Sequence, residues 1–132
     1  MDLQSQALAF WKRIGIFTRV TFVINVLSFA ISKAVMLKYD GENEVFEKIA
    51  LCPTAVIDAN QWYRFLTSEI THGSVGHILC NMGIFLVWGT EIENTYGTAY
   101  YTCLNVMIGI LSNFMSISIQ FFVAYNTSLS HQ

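Results

Sequence analysis

Formal charge runs out early in this chain. No lysine or arginine occurs after Arg64 and no acidic residue after Glu93, so the C-terminal third carries no side chain more water-seeking than an amide or an imidazole. That absence excludes an ordinary solvated surface and places the segment in lipid or against other helices. Only 12% of the 132 residues are charged, against about a quarter in soluble domains, while 54% are hydrophobic and the mean hydropathy is +0.47. The composition is that of a membrane protein. A basic cluster is missing too, and with a formal net charge of −2 nothing tracks a phosphate backbone, so nucleic acid is excluded as a partner. Cysteine is scarce and odd in number. Of Cys52, Cys80 and Cys103, the last two fall inside apolar runs, and the set forms neither a disulfide framework nor a zinc ribbon.

What is present predicts an all-α polytopic membrane protein with three transmembrane helices and a long interfacial loop after the first. Residues 1–13 are a mildly polar lead ending at Lys12 and Arg13. Residues 14–37 are apolar apart from Arg19, Asn25, Lys33 and scattered hydroxyls. Val20–Ser32 alone is shorter than the about 20 residues a span needs, so the first helix includes the turns carrying Arg19 and Lys33. Their stems can lift both charges to the interfaces. No crisp small-x-small site follows, which favours a retained signal anchor over a cleaved signal peptide.

Residues 38–72 form the loop. Within it, Glu44–Leu51 puts Val45, Phe46 and Ile49 on one helical side before Pro53, which suits a short helix lying in the interface or an ordinary surface helix. Trp62, Tyr63 and Phe65 around Arg64 read as an aromatic belt with a snorkelling cation. Residues 73–90 are free of charge and hold glycines at 73, 76, 83 and 89, which allow close backbone approach, so this second span is an interior helix. Residues 98–125 are the third span. On it Asn105, Gly109, Ser112, Ser116 and Gln120 recur every three or four positions and share a face that expects protein partners. Residues 126–132 are a polar tail with a formal glycosylation sequon at Asn126-Thr127-Ser128. Lys12, Arg13 and Arg19 outweigh Lys33 and Lys38, which are followed by Asp40, Glu42 and Glu44. The positive-inside rule then puts the N terminus in the cytosol and the Trp62 loop on the lumenal or external side.

Chemistry concentrates between Trp62 and Gly97. His77 and Asn81 are four residues apart and lie one turn above the other on one helix face. Such a pair could stabilise a developing oxyanion in a water-poor pocket, and intramembrane polar residues mark function by default. Spacing alone equally allows the two to bond to each other or to a neighbouring helix. His72, His77 and Cys80 could be drawn as metal ligands, but no fourth ligand is evident, and neither metal nor cofactor is expected. Ser74, at a helix start, reads as an N-cap rather than a nucleophile. Glu93 is expected to be a solvated terminus or an acceptor for the next loop.

At these residues the chain resembles the rhomboid family, whose pattern runs W-x-R, H, H-x-x-x-N and G-x-x-x-E-x-x-x-G. Here these are Trp62 with Arg64, then His72, His77 with Asn81, and Gly89, Glu93 and Gly97. The resemblance implies a partial rhomboid fold over residues 14–125, in a family of six- or seven-helix intramembrane serine endopeptidases that cleave transmembrane segments. It also implies that His77 and Asn81 help form an oxyanion hole, that His72 supports its mouth, that Trp62 and Arg64 hold the loop, and that Glu93 and Gly97 play supporting roles. The family's nucleophile sits in a GxSG motif and its base is a histidine on a later helix. No GxSG occurs in this sequence, and the 132 residues are expected not to be catalytic alone. Three expectations follow: the N-terminal half of an active protease, a pseudoprotease that binds transmembrane clients, or a structural subunit among other membrane helices. In each the setting is a multi-pass protein in a lipid bilayer.

Overall fold

Three helices long and apolar enough to cross a membrane, Ile16–Lys38, Val75–Tyr96 and Thr98–Val123, organise the computed structural model, which describes residues 2–38 and 44–129. At 23, 22 and 26 residues each exceeds the length that the hydrocarbon core demands. Among the described residues there is no strand, and the fold is all-α and polytopic. Loop residues 39–43, with the Asp40 and Glu42 of the orientation argument, and tail residues 130–132 lie outside the described residues.

The lead is helical. Helix α1 (Leu3–Arg13) starts where Asp2 Oδ1 accepts from the Ser5 N–H at 2.7 Å while Ser5 Oγ donates back to the Asp2 carbonyl at 2.9 Å. This reciprocal cap satisfies amides that would otherwise be orphaned at the helix start. Lys12 and Arg13 in its last turn complement the dipole. Trp11 then meets the Phe22 ring edge-on at 6.2 Å and lies 5.5 Å beneath the Arg19 guanidinium, which fastens α1 to the first span.

That span, α2 (Ile16–Lys38), is arranged inside out. Thr18, Thr21, Asn25, Ser28 and Ser32 recur every three or four residues, and Thr18, Asn25 and Ser32 are buried, while Val20, Ile24, Leu27 and Ile31 face outward. In lipid this is the favourable sense, because apolar side chains gain nothing by leaving hydrocarbon and small polar ones need protein partners.

The loop folds into three short helices, α3 (Glu44–Ile49), α4 (Pro53–Ile57) and α5 (Arg64–Thr67), closed by a 3-10 turn at Ser68–Ile70. Pro53 opens α4, where its missing N–H costs nothing. Arg64 is only 6% exposed and donates to the Glu47 carbonyl at 2.7 Å, the Ala50 carbonyl at 2.6 Å and Gln61 Oε1 at 2.7 Å. It therefore collects the free carbonyls at the end of α3 and ties them to α5. Thr67 Oγ1 adds a bond to the Ile49 carbonyl at 2.8 Å.

The second span is continuous but not uniform. Helix α6 (Val75–Ile84) passes through a π-helical turn at Phe85–Gly89 into α7 (Thr90–Tyr96). Gly97, at φ 87°, then makes the tight turn into α8 (Thr98–Leu129), a backbone conformation that favours glycine. The span thus runs through Glu91 and Glu93, six residues past Thr90. Glu93 is 3% exposed, and its carboxylate accepts from the Phe17 and Thr18 N–H groups at 2.9 Å each, from Thr18 Oγ1 at 2.8 Å and from Thr98 Oγ1 at 2.7 Å. It is neither solvated nor limited to the next loop. It caps the start of α2 from another helix, where the dipole favours an anion. A Cβ on Gly15 would fall on this carboxylate, so that position requires glycine. Helix α8 continues to Leu129 through residues that composition marks as tail, and Asn126 Nδ2 donates to the Phe122 carbonyl at 2.7 Å.

Candidate functional site

The loop and the start of the second span converge on His72. The 3-10 turn delivers it to the head of α6, where Ser74 Oγ accepts from the His77 N–H at 3.2 Å and so caps the helix. His72 is 5% exposed, its Nε2 lies 3.4 Å from Asn81 Nδ2, and its ring centre is 5.0 Å from that of His77. Burial pushes the imidazole below its ordinary 6.5, and the charge of the neighbouring His77 pushes the same way; the Ile70 carbonyl only partly opposes them. The ring is neutral at neutral pH, with one donor and one acceptor nitrogen.

Below the histidine lies a cavity of about 300 Å³, reached by Thr21 and Asn25 of α2, Glu69 and His72 of the loop, Asn81 of α6 and Asn105 of α8. Asn25 is 1% exposed; its Nδ2 donates to the Thr21 carbonyl at 2.8 Å, and its Oδ1 has no partner among the described residues. His72 Nδ1 makes no hydrogen bond there either. Two buried polar atoms without partners, in one cavity, can each take a hydrogen bond from or to whatever enters it, because leaving such atoms unpaired is costly.

Glu69 forms the wall towards α8. Its carboxyl lies so close that a Cβ on Gly109 would stand 2.7 Å from Glu69 Cδ, and Asn113 Nδ2 reaches Glu69 Oε1 at 2.8 Å, Ser68 Oγ at 2.8 Å and the Phe65 carbonyl at 2.9 Å. Burial raises this carboxyl above its ordinary range and the Asn113 amide lowers it in part.

The residues singled out in the sequence therefore fall into three places. His72 and Asn81 meet at the cavity, and His77 packs its ring against His72 but does not line the cavity. Trp62 is exposed and stacks on Phe65 at 6.1 Å, while Arg64 pins the loop. Glu93 and Gly97 lie at the other end of the span. Among the described residues no three His, Cys, Asp or Glu side chains gather as metal ligands. Sequence reasoning missed Thr21, Asn25, Glu69 and Asn113. The regular spacing of α2's hydroxyls and amide was a legible signal for the first two; Glu69 and Asn113 carry none, because their pairing joins segments 44 residues apart.

Chemically, a neutral imidazole and three carboxamides, those of Asn25, Asn81 and Asn105, in a largely apolar pocket can hold and polarise a carbonyl group. No serine hydroxyl lines that pocket among the described residues.

The family model described as the Rhomboid domain matches residues 59–127, which include the loop anchor, the His72 cluster and most of α8. Rhomboid-like protein 15 of Arabidopsis thaliana is 27% identical over 124 residues, covering 94% of this chain and 29% of that protein. The chain thus spans less than a third of the length of the curated relative it matches. No solved structure matches it.

Proposed function

The chain belongs to the rhomboid family, and on that premise we propose that its 132 residues form the client-binding side of an intramembrane site without being a protease by themselves. The cavity beneath His72 carries this proposal. Asn81 and neutral His72 present hydrogen-bonding groups from one side and Asn25 from the other, in a pocket that can take an unwound stretch of a transmembrane segment by its backbone. Of the oxyanion-hole-like pair His77 and Asn81, Asn81 reaches the cavity and His77 stands against the His72 ring; His72 supports the mouth, and Trp62 and Arg64 hold the loop over it. Glu93 and Gly97 fix the spans that carry these groups. The family's serine-type endopeptidase activity needs a GxSG nucleophile and a base histidine, and neither motif lies within this sequence. The N terminus lies in the cytosol and the His72 mouth on the opposite face.

A second function, as a scaffold for partner helices, is favoured by one observation: Ser112 and Gln120 of α8 are exposed on a helix whose surroundings are lipid.

A serine-directed phosphonate probe tests the absence of catalysis. The isolated 132-residue chain should remain unlabelled in membranes, and labelling at Ser74, Ser112 or Ser116 would sink the proposal. Client binding is tested by photo-crosslinking a transmembrane peptide to the protein: Asn81→Ala and Asn25→Ala should each reduce the yield, whereas an effect confined to changes at Ser112 or Gln120 would favour the scaffold.

A further inference from the structure

A second cavity, of about 260 Å³, lies between the end of α1 and the lower half of the second span. It shares no residue with the His72 site. Arg13 of α1 stands on one side and Glu91 of α7 on the other. Both side chains are exposed, and among the described residues neither makes an ion pair or a side-chain hydrogen bond. Between them, Asn94 donates its Nδ2 to the Arg13 carbonyl at 3.1 Å, which ties α7 to α1 and leaves Oδ1 as an acceptor. Thr90 Oγ1 is buried in the same wall with no partner. Leu86 and Val87 line the side of the cavity nearer the middle of the span, and Val87 is 65% exposed, so the cavity opens laterally to lipid.

We infer that this groove binds a phospholipid whose zwitterionic headgroup ends in a primary ammonium, with the phosphate on Arg13 and the ammonium on Glu91. The charge pattern selects that occupant. A guanidinium recognises a phosphodiester through parallel N–H donors. A carboxylate and an amide oxygen together match a group with three N–H donors. A trimethylated ammonium has none to give, and a headgroup of net negative charge would face Glu91. The Thr90 hydroxyl is placed to donate to a phosphate or ester oxygen, and an acyl chain can follow Val87 and Leu86 into the hydrocarbon. Four residues separate Val87 from Glu91, about 6 Å along a helix, which matches a step from the headgroup region to the first methylenes.

The test is native mass spectrometry of the full native protein in detergent, titrated with phosphatidylethanolamine, phosphatidylcholine and phosphatidylglycerol of identical acyl chains. The expected result is that phosphatidylethanolamine binds about three- to tenfold more tightly than either of the others, the scale of one added charge-assisted contact near a surface. Glu91→Gln should bring it down to the phosphatidylcholine level, and Arg13→Gln should weaken all three. Val87→Trp, which fills the groove without touching a charge, should also release the lipid. Equal binding of the three lipids, tightest binding of phosphatidylglycerol, or a preference that survives Glu91→Gln would overturn the assignment. So would binding indifferent to Val87→Trp. Both charged residues are exposed, so the fold does not depend on them.

Discussion

Glu93 joins helices by accepting hydrogen bonds, with no cation opposite it among the described residues. Four donors from α2 and α8 converge on one carboxylate in a place where water is scarce. Glu93→Ala should therefore leave the Phe17 and Thr18 amides unpaired, at about 1–3 kcal/mol for each buried group. Gly15→Ala should cost about 1–3 kcal/mol by forcing a methyl onto the carboxylate. Thermal unfolding in detergent reads both, and a Gly15→Ala protein as stable as the parent would contradict the packing. His72 gives a pH dependence at the same scale. Its folded pKa lies below the unfolded 6.5, so the unfolded chain binds more protons in acid. The stability tied to neutral His72 is complete above about pH 6.5 and declines as pH falls through that value towards the folded pKa. A melting series from pH 8 to pH 5 should show this loss, and His72→Gln should flatten it. The amino-acid sequence announced some of these roles and concealed others. Ser74 stood at a helix start and is the cap, but Glu93 followed an uncharged run and was indistinguishable from a solvated helix end, since nothing local records the α2 amides 75 residues away.

Elements are held by a small number of such contacts, and the loop is the clearest case. Arg64 ties α3 to α5, and Asn113 ties the following turn to α8. Arg64→Ala should weaken the loop by about 1.5–3 kcal/mol, the range for hydrogen bonds to a charged group, and should raise amide exchange across residues 47–72. Asn113→Ala should raise exchange chiefly around Ser68 and Glu69. Faster exchange confined to the transmembrane helices would place the anchor elsewhere. Three charge-poor apolar runs made three spans legible, because the bilayer imposes a length and an absence of charge that any chain must display. Helix α1 was less visible: its apolar and polar residues alternate too evenly, and only the Asp2 and Ser5 pairing marks its start. The π-helical turn was invisible, since Phe85–Gly89 is as apolar as its surroundings.

For the whole molecule, the separation of its two ends is the feature that matters. The His72 cluster and the Arg64 loop lie towards one face of the membrane, while α1, Glu93 and Gly97 lie towards the other. Cys52 offers a native reporter, half-buried in the loop, its thiol held below its ordinary range mainly by the Thr54 hydroxyl, which increases the reactive thiolate. In sealed vesicles a membrane-impermeant maleimide should label Cys52 only from the face opposite the N terminus, with Cys80 and Cys103 protected by their spans until detergent is added. Labelling of Cys52 from the N-terminal side would contradict α2 as a membrane span between the two. The family could be recognised from residues 62–97 because its motif is short-range, whereas the cavity could not, since it is assembled from four segments that only the fold brings together.

The π-helical turn does for the second span what a key change does for a melody: everything after it is transposed by one step. Asn81 and Glu93 are twelve residues apart, and on a regular helix they would point about 120° away from each other. One surplus residue absorbed at Phe85–Gly89 reduces that offset to about 20°, so a single face of the span serves both the cavity and the cap of α2. Deleting Val87 would restore the regular pitch and force a choice between the two tasks, with Glu93 swung off Gly15 whenever Asn81 keeps its place beside His72.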